Sequence, residues 1–145
     1  MKKERKFLCG YIKIRKFSDM ALPSSTQHLI MKKYCEENNF QYKLAEQELI
    51  IKNSSLTLFS LIKKLKKNDA IVMCSIHMLP DFFFRKKIYQ KILKQKISIH
   101  FIYEKFILKN EDDCKSLEEF FILNELISFQ NYNDEEYFKN IQIIK

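Results

Sequence analysis

The side chains that could do chemistry stand where apolar runs end. Arg15 and Lys16 follow the run from Phe7 to Ile14, and Ser75 and His77 close the run that begins at Ala70. Tyr103 and Glu104 end a third run that begins at Ile97. Gln27 lies just past Pro23, at the start of a helical pattern. An arginine beside a helix N-terminus suits a carboxylate or a phosphate, because its planar fork meets two oxygens at once. Gln27 and Ser75 can hydrogen-bond the polar groups of such a ligand. Glu104 fits either a general base or the partner that orients Arg15. Each residue also has a plainer role open to it: an Arg15–Glu104 ion pair, a Ser75 loop cap, a solvent-facing His77.

Other chemistries lack their parts. Gly10 is the single glycine. That excludes the Gly-x-Gly-x-x-Gly and Walker loops, which bring bare backbone against phosphate. His28, His77 and His100 are scattered, with no two at helical i, i+4 spacing, so no metal site and no cofactor are expected. Cys9, Cys35, Cys74 and Cys114 form no Cys-x-x-Cys pair. They read as small buried hydrophobes rather than zinc ligands or a redox couple.

The candidate residues meet only if the apolar runs are strands of one sheet. The chain has 145 residues, 46% of them hydrophobic, enough for one domain with a core. Phe7–Ile14 reads as a first, buried strand. Ser24 and Ser25 offer caps for a helix over about 26–38 with Gln27, Ile30, Met31, Tyr34 and Cys35 on its inner face. Phe40–Leu44 alternates as a second strand. Ser54 or Ser55 caps a second helix to about Lys67, striped by Leu58, Leu61, Ile62 and Leu65. Ala70–Ile76 is a continuous apolar run of the parallel-sheet kind. Asp81 caps a third helix to about Lys94, Ile97–Tyr103 is a fourth strand, and Phe106–Leu108 a short edge strand. A fourth helix starts at Asp112 or Asp113. The reading is one α/β domain over 1–127, with 128–145 a C-terminal extension, either helix or docking tail. Alternating strands and helices predict a three-layer, mostly parallel sheet of flavodoxin-like order 2-1-3-4. Strands 1 and 3 are then neighbours at the switch point, which brings Arg15, Ser75 and His77 to one crevice. No secretory signal and no span-length apolar run is present, so a cytoplasmic chain without membrane insertion is expected.

Charge is uneven. Net charge is +8, but residues 1–67 hold 15 basic and 6 acidic side chains, 68–110 hold 8 and 3, and 111–145 hold 3 and 9. A basic body with an acidic C-terminal segment fits an anionic ligand, or a contact between the two within or between subunits. The abundance of Lys, Ile, Asn and Phe is also what an AT-rich genome imposes, and nucleic acid is not an expected partner.

Two resemblances follow from the motifs. Gly10-Tyr11-Ile12-Lys13-Ile14, Gln27, and Tyr34-Cys35-Glu36-Glu37-Asn38-Asn39-Phe40, with Leu65 to Met73, resemble the catalytic domain of serine recombinases. Arg15 stands where that family's serine nucleophile is expected, and Ile76-His77-Met78-Leu79-Pro80 stands in place of its Asp-Arg-Leu-x-Arg element. The resemblance therefore implies a shared fold without strand cleavage, and a fold that pairs through its last long helix. The series Gly10-Tyr11-Ile12, Arg15, Phe17, Pro23, Gln27, Tyr34-Cys35, Glu48, Ser75, Leu79-Pro80, Arg85, Tyr89, His100-Phe101 and Glu104 resembles the sporadic carbohydrate cluster proteins. That resemblance implies a role in surface polysaccharide or lipopolysaccharide biosynthesis. The resemblance assigns no activity; taken with the strand-end residues it leads to an anionic or nucleotide-linked sugar as the expected ligand. Arg15, Gln27, Glu48 and Ser75 would bind it, with Glu104 as the catalytic base or orienter. The alternatives are a homodimeric interaction module without chemistry, or a recombinase-like nucleic-acid-binding domain without cleavage activity.

Overall fold

The structure, a computed structural model, describes residues 5–14, 21–51 and 53–143, and for 128–143 the backbone alone. The elements run β1 (Phe7–Ile12), α1 (Ser24–Glu37), β2 (Gln41–Gln47), α2 (Leu56–Lys64) and β3 (Ala70–Met73). A 3-10 turn (Ile76–Met78) precedes α3 (Phe82–Gln95). Then come β4 (Ser98–Phe101), β5 (Phe106–Leu108) and α4 (Glu111–Ile143). The five strands form one sheet in the order β2-β1-β3-β4-β5. Neighbours are parallel except the β4–β5 pair, which is antiparallel. The α/β class, the strand order and the short edge strand are as the alternation of runs predicts.

The central strands are buried on both faces, as a sheet flanked by helices requires, while β2 at the edge is largely exposed. Leu8, Ile12, Ile71, Val72, Met73 and Ile99 are fully buried, as central parallel strands require. Gly10 sits where the β1–β2 register shifts. A Cβ there would lie 2.7 Å from the Ala45 Cβ and 2.8 Å from the Tyr42 hydroxyl. The glycine is thus needed for close approach, with Tyr42 crossing over it to meet His28 Nδ1 at 2.9 Å.

Several boundaries differ from the periodicity. α1 begins at Ser24 itself, with Pro23 at the cap position and no side-chain cap. β2 runs three residues beyond Leu44. α2 stops at Lys64, because the chain must turn back through Asn68 at positive φ to enter β3. β1 and β3 are shorter at their carboxyl ends than the apolar runs. After β3, Cys74, Ser75 and Ile76 stay buried in a packed turn, whereas Ile14 after β1 is exposed. α4 does not break near Ile127 but continues to Ile143. The chain divides into two compact units, Met1–Asn110 and Glu111–Lys145.

Candidate functional site

Parallel strands end together, so the loops after β1, β2, β3 and β4 share the carboxyl edge of the sheet. Arg15, the residue expected to hold an anion, lies outside the described residues. What surrounds its loop is defined. The Gln27 side chain is fully buried. Its Oε1 accepts from the Lys13 N–H at 3.2 Å, and its Nε2 donates to the carbonyls of Lys13 at 2.9 Å and Leu22 at 2.8 Å. One amide on α1 therefore ties the residues that flank 15–20 on both sides.

Glu48 does the same for the next loop. Its carboxylate is 3% exposed. Tyr11 Oη donates to it at 2.8 Å and Ser54 Oγ at 2.9 Å. The backbone N–H groups of Leu49, Thr57 and Leu58 each donate at 3.1 Å. Thr57 and Leu58 are in the first turn of α2, whose own cap residue Ser55 makes no side-chain cap bond. The long-range carboxylate therefore satisfies the orphan donors and matches the helix dipole. Burial opposes ionisation of Glu48, but the hydrogen bonds from Tyr11, Thr57, Ser54 and Leu49 outweigh it. They hold the carboxyl below the ordinary carboxylate range. The Tyr11 phenol is pushed the other way, by burial and then by Glu48.

The third loop is held by the Ser75–Glu104 pair. Ser75 is fully buried. Its hydroxyl donates to Glu104 Oε2 at 2.9 Å and accepts from the His77 N–H at 3.2 Å. Glu104 Oε1 accepts from the Ile76 N–H at 2.7 Å. Glu104 sits in the turn after β4 and reaches across to fasten the turn after β3.

The structure thus brings Gln27, Glu48, Ser75 and Glu104 to one edge, but each is engaged in hydrogen bonds that fasten the connections there. Their shared property is that each pins a strand-to-helix connection. Beside Glu48, the space lined by Lys13, Ile14, Leu49 and Ser54 is about 10 Å³, room for no more than a water. A larger cleft of about 420 Å³ lies at the opposite end of the sheet, lined by Phe7, Cys9, Leu61, Leu65, Lys64 and Asp69 among others. Cys9, Cys35 and Cys74 are buried and free. Burial pushes the Cys35 thiol up to about 11 and Cys74 to about 12, which leaves both inert. Sequence reasoning missed Tyr11 as the partner of Glu48. The signal was available in principle, because a tyrosine in a buried strand needs a partner for its hydroxyl.

A scan against protein-family models gives no match, and a search among curated proteins gives none. Among solved structures the chain is similar to the N-terminal catalytic domain of TP901-1 integrase, with a TM-score of 0.62. Identity is 16%, over 87% of this chain and 99% of that one. At that identity the likeness concerns the fold: the chain has a resolvase-like α/β fold. No helix among the described residues is long and apolar enough to cross a membrane.

Proposed function

We propose that the chain is a non-catalytic pairing module of resolvase-like fold, in which two copies associate through α4. The observation that carries this reading is the character of that helix. It has 33 residues, about 50 Å at 1.5 Å per residue. Ile122, Leu123, Leu126 and Ile127 are each more than half exposed, wider than the single stripe one neighbour covers. Charge favours the same partner. Residues 111–145 carry −6, whereas residues 1–110, with 23 basic and 9 acidic side chains, carry +14. Two copies that each offer an acidic helix to a basic body attract one another. The full burial of the Ser75 hydroxyl supports the non-catalytic part, since it is not presented to a substrate. Sedimentation of the full chain should give twice the chain mass. Leu123→Asp with Ile127→Asp should raise the dimer dissociation constant about tenfold or more. A monomeric wild-type chain sinks the reading.

The Gln27 clamp favours a second reading. A buried amide that bonds both Lys13 and Leu22 fixes the residues on either side of 15–20, and fixed flanks lower the ordering cost of binding a ligand through Arg15. On this reading the edge binds an anionic or nucleotide-linked sugar in surface polysaccharide or lipopolysaccharide synthesis. Thermal-shift measurements with nucleotide sugars test it. A rise seen with the wild type and lost in Arg15→Ala supports it, and equal shifts in both remove Arg15 from the site.

A further inference from the structure

The carboxyl edge carries more exposed apolar surface than a ligand crevice needs. Ile50 and Ile51, in the β2–α2 loop, are 69% and 63% exposed, and Leu56, opening α2, is 66%. Phe82 and Phe83, opening α3, are 58% and 63% exposed. The segments that carry these side chains are tied to one another. Glu48 ties its own loop to the first turn of α2. Phe59, one turn on from Leu56, packs edge-on against Phe84 of α3 at 6.2 Å between centroids. Phe84 in turn meets Phe83 at 5.5 Å.

Cations border these apolar tips. Lys86 and Lys87 are exposed on the first turns of α3, and Lys87 Nζ lies 4.4 Å from the centre of the Phe83 ring. The nearby Asp81 is committed to capping the Phe84 N–H at 3.2 Å. The unit that bears the patch, residues 1–110, has a net charge of +14.

We propose that this edge docks peripherally on an anionic lipid bilayer, with Ile50, Ile51, Leu56, Phe82 and Phe83 entering the interface and Lys86 and Lys87 meeting the headgroups. Two observations select a bilayer over a partner helix. The apolar residues are tips of a loop and of two helix starts, whereas a helix docks into a groove, and the space behind the β2–α2 loop is only about 10 Å³. The flanking charge is cationic, which anionic lipid headgroups attract and a neutral surface does not. Aromatic and aliphatic tips supply the rest by leaving water.

The test is flotation of the full chain with phosphatidylcholine vesicles, with and without phosphatidylglycerol. Recovery is expected only with phosphatidylglycerol present, and should fall as salt rises. Phe82→Ser with Phe83→Ser should cut binding about tenfold or more. Lys86→Glu with Lys87→Glu should cut it similarly at low salt. Both double variants should stay folded, with wild-type circular dichroism at the assay temperature, because the altered side chains lie at the surface. Failure of the wild type to float, or wild-type binding by both variants, overturns the proposal. So does loss of the dimer in the phenylalanine variant with vesicle binding intact, which would assign the patch to a second copy of the chain.

Discussion

Glu48 shows how one side chain can organise a fold from a loop. Five donors from two loop residues, two helix residues and a strand tyrosine converge on its carboxylate. Glu48→Gln keeps the size but places an amide N–H among donors, leaving some of them unsatisfied. A loss of about 2–4 kcal/mol is expected in chemical denaturation. Because hydrogen bonding lowers its folded-state pKa below the ordinary 4.5, Glu48 stabilises the fold above that value. The contribution is lost as pH falls through the lower, folded value, so the Gln variant should show a weaker acid dependence below about pH 4.5. His100 titrates in a different window. It is 3% exposed, its Nδ1 lies 2.8 Å from Tyr34 Oη, and Phe40 packs edge-on at 5.4 Å. Burial, then Lys6 and Lys109, bring its imidazole down from 6.5 to about 4. Between those values the unfolded chain binds a proton that the folded one does not. Stability should therefore fall as pH drops from 6.5 to 4, by at most about 3 kcal/mol. His100→Gln should flatten that limb, read as the urea midpoint against pH.

At the scale of elements, the ends matter more than the middles. The apolar stripe of α2 is plain in the sequence, yet its first turn is capped by Glu48, eight residues before the helix begins, rather than by its cap residue Ser55. α3 is capped locally: Asp81 Oδ1 accepts from the Phe84 N–H. At its other end Lys96 takes the left-handed conformation, φ 56°, with its N–H bonded to the Ile92 carbonyl. A lysine pays a steric cost there that glycine does not. Lys96→Gly should raise stability by up to about 1 kcal/mol, seen as a higher melting temperature. A lower one would mean that the lysine side chain contributes something the backbone does not reveal. Asn39, Asn53 and Asn68 adopt positive φ at other turns, which asparagine tolerates better than most residues. In a chain with one glycine, asparagine takes over much of the turn chemistry.

At the scale of the whole molecule, the division of charge is the main device. If two copies associate, a +14 body and a −6 helix segment would make that association sensitive to salt. If pairing joins helix to body, the dimer dissociation constant should rise several-fold between low and high salt. Salt-independent pairing would instead favour contact between the apolar surfaces of two α4 helices. The same basic body bears the apolar tips of the carboxyl edge. Variants of α4 and of α3 test pairing and lipid docking separately.

The amino-acid sequence by itself determined the architecture. Alternating apolar runs and helical stripes allow few arrangements other than a mostly parallel sheet, because each stripe must bury its face against a neighbour. It also placed Gln27, Glu48, Ser75 and Glu104 at one edge, since residues at strand ends are carried there by topology. Only the tertiary structure decided what those residues do. Periodicity reports which face is buried, but not which distant donor a buried polar atom meets. The bonds from Gln27 to Lys13 and from Glu104 to Ile76 depend on loop paths that no local pattern encodes. The length of α4 was likewise illegible, because the polar and aromatic mixture after Ile127 has no clean stripe from which a helix could be read.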